Sequence, residues 1–277
     1  MLEFWQSSLI IAVLGTALTL AAHLVFRAWA PLVTNFQGRR VRTGYGVYVA
    51  AWAIAPAVAA VFTLATPAFL IIVLGFAVPG FLDDVLGAHG AGGFGGHLKA
   101  LMRQRRVTTG LVKAGAGGAG AFVGLALFES CACFPWWDIA AGAAVIALSA
   151  NFINLLDLRP GRAGWVSAAL WAVLLCAATG RDLLFFLTVP AFVCLLVLLP
   201  ADSRGTWIMG DSGSNVLGAL LGLTLVLGTP PWTRWVGLAV LLAVHVFAER
   251  RSISRRRRSA PRRPDSKSCW RMVVSPM

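Results

Sequence analysis

Charge is what this chain has little of. Only 13% of its 277 residues are charged while 58% are hydrophobic, where a soluble domain carries about 25% charged residues. An ordinary soluble globular protein is thereby excluded. Acids are the scarcer sign, 11 aspartates and glutamates against 24 lysines and arginines. The alternating pattern of a membrane barrel is missing, and no internal repeat is evident. There is no HExxH motif, no Walker A loop and no serine-histidine-aspartate spacing. The five cysteines (Cys131, Cys133, Cys176, Cys194 and Cys269) form no CxxC pair and no zinc spacing. Cys176 and Cys194 sit inside apolar runs and read as core, and Cys131-x-Cys133 reads as plain buried thiols ahead of a redox or metal feature.

What is there is a series of apolar runs of about 13 to 21 residues, the longer of them the length that crosses a hydrocarbon core about 30 Å thick. Nine are read as transmembrane helices, near Ser7–Phe26, Val47–Ala65, Ala68–Leu82, Thr108–Phe128, Ile139–Leu156, Trp165–Ala178, Leu183–Leu199, Asn215–Leu227 and Trp235–Ala248. The expected architecture is all-α, a polytopic integral membrane helix bundle. Residues 1–251 form one transmembrane domain and residues 252–277 a basic, disordered tail. Glu3 before the first run and Arg27 after it put the N-terminus outside. Alternation from there leaves every lysine and arginine except Arg181 and Arg234 on the cytoplasmic side, C-terminal tail included, as the positive-inside rule requires. The net charge of +13 therefore reports topology and a lipid bilayer, and no nucleic-acid partner is expected.

Three polar motifs interrupt the apolar background, and this topology puts them on one face. The first is Asp83-Asp84, at the end of the third run within Gly80-Phe-Leu-Asp83-Asp84-Val-Leu-Gly87. An ionised carboxylate at bilayer depth costs on the order of 3 kcal/mol, so an adjacent pair needs a reason. The second is Asn151, Asn154 and Asp157, which fall within an arc of about 120° on a helix turning 100° per residue, followed by Arg159 and Arg162. Two such amides on their own would more simply hold helices together. The third is Gly210-Asp211-Ser212-Gly213-Ser214, opening the eighth run. Free backbone N–H groups at such an end favour phosphate, with an ordinary helix cap as the plainer alternative.

Hard carboxylate oxygens suit Mg²⁺, which uses one or two of them together with substrate phosphates. Lys99, in the Gly-rich basic stretch that also holds His89 and His97, and Arg159 and Arg162 suit phosphate oxygens. The combination points to phosphoryl transfer, with Asp211 as the metal ligand. Gly115-x-Gly117-x-x-Gly120 matches a dinucleotide fingerprint in letters only, since no strand precedes it. Gly120-x-x-x-Gly124 instead suits close helix packing.

In this order the motifs resemble the polyprenyl-phosphate N-acetylhexosamine-1-phosphate transferase superfamily, of MraY/WecA type. Asn35-Phe-x-Gly38-Arg39 with Thr43-Gly44, and Gly95-Gly96-His97-x-Lys99-Ala100-Leu101, are similar to further segments of its bacterial members. The resemblance implies a multi-pass enzyme of the plasma membrane that moves a sugar-1-phosphate from a UDP-amino sugar to a polyprenyl (undecaprenyl) phosphate, with Mg²⁺, releasing UMP for cell-envelope glycan synthesis. It further implies that Asp83 and Asp84 orient or deprotonate the lipid phosphate and that Asp211 binds the metal. Asn154 and Asp157 would line the nucleotide site, with Asn151, Arg159, Arg162 and Ser212 in the same cleft and Lys99 near the phosphates. The chain departs from the pattern at Asp157-Leu-Arg159-Pro-Gly-Arg162, where the best-known members have Asp-Gly-x-Asp-Gly. It also shows only His245-x-x-x-Glu249-Arg250 in place of a late histidine-rich loop. A non-catalytic relative, a transporter with intramembrane carboxylates, and a homodimer all stay open at the level of sequence.

Overall fold

In lipid every backbone N–H and C=O must find its partner inside the protein, which leaves helices as the way to span for a chain without barrel strands. The computed structural model describes residues 2–30, 32–34, 38–59, 65–86, 109–129, 135–178 and 182–259. Among them are nine helices: α1 (Leu2–Trp29), α2 (Gly46–Ala59), α3 (Ala65–Leu86), α4 (Thr109–Glu129), α5 (Trp136–Leu156), α6 (Arg162–Ala177), α7 (Asp182–Ser203), α8 (Asp211–Gly228) and α9 (Trp232–Ser259). Five of them, α3, α5, α7, α8 and α9, are long and apolar enough to cross a membrane. The chain is a helical membrane bundle. Lys99, His89, His97, Asn35 and the Cys131-x-Cys133 pair lie outside the described residues.

Three boundaries differ from the sequence reading. α3 does not stop before the acid pair but carries Asp83 and Asp84 on its last turn, ending at Leu86. α9 runs through the proposed start of the tail at 252 and on to Ser259. Between α1 and α2, where a plain loop was expected, β1 (Leu32–Thr34) and β2 (Arg40–Arg42) form an antiparallel hairpin in the register Leu32 to Arg42 and Thr34 to Arg40. Three-residue strands are too short to leave an alternating signature.

The bundle is built around α8, 83% of whose residues are buried, against 6% along the apolar part of α9. Helices α2, α3, α5, α6, α7 and α9 all pack on it. Such crowding requires small side chains. Ser214, Gly218 and Gly222 recur every four residues on one stripe of α8 and meet an antiparallel stripe of α5. A Cβ on Gly218 would meet Ser149 and Ala150, and one on Gly222 would lie 2.7 Å from the Ile146 Cα. Glycine serves the same end between α3 and α4: a Cβ on Gly120 would lie 3.5 Å from the Gly75 Cα, and one on Gly124 2.6 Å from the Ala68 carbonyl. The packing use of Gly120-x-x-x-Gly124 is the observed one.

Backbone bonds stitch the approach to α8 onto the start of α2. The Ile208 carbonyl accepts from the Gly44 N–H at 2.9 Å, and the Met209 carbonyl accepts from the Gly46 N–H at 3.0 Å. At the opposite end of the bundle, Asp138 of α5 pairs with Arg234 of α9 at 3.2 Å and accepts from the Trp235 indole N–H at 3.2 Å. The ends of α1, α3, α5 and α7 and the starts of α2, α4, α6 and α8 therefore share one end, which carries the polar motifs. At Gly46 the helix starts touch backbone to backbone, a Cβ there running into the Gly213 amide. Gly46→Val is expected to lower stability by about 1–3 kcal/mol through overpacking. Gly118→Ala, with nothing within 4 Å of the added Cβ, leaves it unchanged or raises it by up to about 1 kcal/mol. Thermal unfolding in detergent followed by tryptophan fluorescence separates the two, and equal stabilities would contradict this contact.

Candidate active site

Consecutive helix residues point about 100° apart, so Asp83 and Asp84 face different neighbours. Asp84 faces the start of α8. Its Oδ1 accepts from the Asp211 N–H at 2.8 Å and its Oδ2 from the Ser212 N–H at 2.9 Å. The N-cap residue, Gly210, has no side chain with which to cap its own helix, so α3 supplies the cap carboxylate from outside. Gly210 is held at φ 77°, and a Cβ there would lie 2.7 Å from both Asp84 carboxylate oxygens. Only glycine satisfies both demands.

This arrangement corrects one expectation. The first N–H groups of α8 are not free to receive phosphate; they are already satisfied by Asp84. Ser212 is 1% exposed, buried beneath the site rather than lining an open cleft.

Asp83 faces α4. Its Oδ2 accepts from Lys113 Nζ at 2.7 Å, and the same ammonium donates to Asp211 Oδ2. Asp83 and Asp211 thus converge on a single cationic atom contributed one turn into a largely apolar helix. Lys113 is a member of this cluster that the sequence motifs do not include. A lysine within an apolar run is itself a signal.

Asn154 and Asp157 meet α8 from the other side. Asp157 caps the end of α5 and its Oδ2 accepts from the Gly210 N–H at 3.2 Å. Asn154 Oδ1 accepts from the Ser214 hydroxyl at 3.1 Å, with the Gly210 carbonyl an alternative acceptor at 3.0 Å. Burial pushes the Asp157 carboxyl well above the usual carboxylate range, and the neighbouring charges of Asp202, Asp211 and Asp84 push the same way. Asn151 is exposed on the same helix. Arg159 and Arg162 are exposed in the following turn, and among the described residues neither pairs with an acid.

A further acid, Asp202, was not singled out from sequence. It is 1% exposed, and its Oδ2 accepts from the Gly161 N–H at 3.0 Å. Gly161 (φ 73°) forms the turn between Arg159 and Arg162, so Asp202 fixes the basic turn beside Asp157. Tyr45, fully buried, has its phenol pushed up by burial and then by Asp202 and Asp157. It stays a neutral hydroxyl among carboxylates.

Four expected acids, Asp83, Asp84, Asp157 and Asp211, are therefore brought together around the start of α8, and Asp202 lies beside them. Among the described residues no three His, Cys, Asp or Glu side chains gather as a complete metal cage. Asp83 and Asp211 do share one cation position, and two hard oxygens there fit Mg²⁺, which completes its shell with water and phosphate. His245, on α9, uses Nδ1 on the Leu241 carbonyl of its own helix at 2.7 Å. Compared with models of known families and with curated proteins, the chain matches none.

Two measurements follow. Asp84→Ala leaves the α8 N–H groups without their cap and is expected to cost about 1–2 kcal/mol of stability. Lys113→Met leaves two carboxylates without a shared cation and lowers stability, whereas Lys113→Met combined with Asp211→Asn recovers part of the loss. A coupling of about 0.5–3 kcal/mol in that double-mutant cycle is expected, and strict additivity would deny the shared contact.

Proposed function

We propose that the chain is a membrane glycosyl-1-phosphate transferase. In this reading it moves a sugar-1-phosphate, an N-acetylhexosamine-1-phosphate, from a UDP-amino sugar to undecaprenyl or another polyprenyl phosphate and releases UMP. The observation that carries it is the convergence of Asp83 and Asp211 on one cation position, at the bundle end where α5 and α8 bring Asn154 and Asp157 alongside. The nine helices, taken as nine crossings with the N-terminus outside and the C-terminus in the cytoplasm, would put that end at the cytoplasmic face of the plasma membrane, where a UDP-sugar is available.

The chemistry needs no covalent enzyme step. An oxygen of the lipid phosphate attacks the sugar-bearing β-phosphorus, the bond from that phosphorus to the bridging oxygen breaks, and UMP leaves with the bridging electron pair. Mg²⁺ held by Asp83 and Asp211 would offset the charge gathered by the two phosphates. Lys113, whose ammonium holds this position, keeps the two carboxylates in register before substrate binds and would give the position up to the metal. Asp84 holds Asp211 in position by fixing the first turn of α8, which makes Asp84 a positioning residue. Asp157 does the same for Gly210. Asn154, whose amide N–H₂ has no partner among the described residues while Oδ1 accepts from Ser214, can donate to the nucleotide. Arg159 and Arg162, exposed beside Asp157, would supply the cationic rim for the diphosphate.

The test is UMP release by purified protein in detergent with undecaprenyl phosphate, Mg²⁺ and a panel of UDP-sugars. Release is expected to require both lipid and metal, and to fall about 10²-fold or more in Asp211→Asn, the scale on which one preorganised charge-stabilising group acts. A folded sample that releases nothing with any donor would refute the transferase.

A further inference from the structure

Away from the acids, α1, α2 and α7 enclose an open groove of about 710 Å³, lined among others by Thr19, Leu20, His23, Tyr48, Val193 and Trp207. Its size falls within the range of about 300–1,000 Å³ typical of small-ligand sites. Most of its wall is apolar and faces outward, with Val193 51% and Val197 72% exposed. One end is different. His23 Nδ1 lies 2.7 Å from the Tyr48 hydroxyl, and the Trp207 ring stacks on Tyr48 at 6.2 Å between centroids. His23, Tyr48 and Trp207 thus give one end of an otherwise apolar groove its polar groups.

Beyond that end both walls finish on arginine. Thr19, His23 and Arg27 follow one another at four-residue spacing on α1, so Arg27 continues the groove stripe about 6 Å further along the axis. Arg204 directly follows α7, its N–H still bonded to the Pro200 carbonyl at 3.3 Å, and seven steps of about 100° from Val197 return to nearly the same face. Arg27 and Arg204 are both exposed, and neither pairs with an acid among the described residues. Read along its length, the groove runs from guanidinium groups, through hydroxyl, imidazole and indole, to bare aliphatic wall. That is the order of a phospholipid, from phosphate through ester to acyl chain.

We propose that this groove is a binding site for one anionic phospholipid, its phosphate held between Arg27 and Arg204. Its ester region lies against His23, Tyr48 and Trp207, and one acyl chain along Leu20, Val193 and Val197. Guanidinium groups bind phosphate oxygens through paired, charge-assisted hydrogen bonds, so an anionic headgroup is preferred to a zwitterionic one whose own cation competes. A second copy of the chain is a poor occupant, because a two-fold contact would oppose the same arginines to each other. The site is also distinct from the acidic cluster. Phe26 stands between them, packing on Tyr48 and Trp207 on one side and lining the crevice with Asp84 on the other.

Native mass spectrometry of the full chain in detergent tests this, with phosphatidylglycerol, phosphatidylcholine of the same acyl chains and undecaprenyl phosphate added in turn. Retention of one phosphatidylglycerol, at least tenfold in preference to phosphatidylcholine, is expected. Arg27→Gln with Arg204→Gln should abolish the preference while some binding persists. Val193→Trp, and independently Val197→Trp, should abolish retention of both phospholipids. All four positions are exposed, and an unchanged thermal midpoint in lipid-free detergent shows that the variants fold. Equal retention of the two phospholipids, retention indifferent to both tryptophans, or displacement of phosphatidylglycerol by equimolar undecaprenyl phosphate would each overturn the proposal. The readout does not involve catalysis and stands whether or not UMP is released.

Discussion

The site end of this protein depends on one carboxylate capping a helix that is not its own. An α-helix that starts inside a bundle presents N–H groups with no partner in the preceding turn, and leaving them unmet in a dry interior costs free energy. The N-cap residue of α8 is Gly210, which has no side chain to cap it, and Asp84 reaches across from α3 to bond the Asp211 and Ser212 amides. Much of the local geometry follows from that contact. Gly210 must lack a Cβ to admit the carboxylate. α3 must continue far enough to deliver it, and Asp83, the next residue back, is thereby turned toward Lys113 and the Asp211 carboxylate.

The cap also shows how adjacent identical residues come to do different work. Asp83 and Asp84 look interchangeable as letters, but a 100° turn gives one a backbone partner and the other a side-chain partner. A carboxylate held by two amides is fixed and charge-balanced by the positive end of a helix. A carboxylate shared through an ammonium remains a place where another cation can bind. The first organises the site and the second is available for chemistry.

The outline of the fold was legible because its signal is additive over many residues. Nine apolar runs became nine helices among the described residues, and the polar motifs gathered at one end because the runs alternate in direction. The glycines of α4 were readable as packing because their spacing places them on one stripe. What sequence could not convey was partnership. Nothing in Gly80–Gly87 says that Asp84 will meet backbone and Asp83 a lysine. Lys113 and Asp202 are single polar letters in apolar surroundings, and their partners are far away in sequence. The hairpin at Leu32–Arg42 is too short to carry a period. Ser212, read as lining the substrate cleft, sits inside because the helix it opens is surrounded on all sides.

That encirclement has a consequence for how the protein is made. α8 carries Asp211, Ser212, Ser214, Asn215 and Thr224 through surroundings that are nearly all protein, and its mean hydropathy of 1.2 is well below the 2.7 of α7. Alone in lipid it would expose that polar stripe and an uncapped N-terminus. It needs a prepared socket. Chain order provides one, since α2, α3, α5, α6 and α7 all precede it and only α9 follows. The helix at the centre of the bundle is thus synthesised after five of the six helices that pack on it, and its insertion becomes a docking event against neighbours already in the membrane rather than a partition between water and lipid.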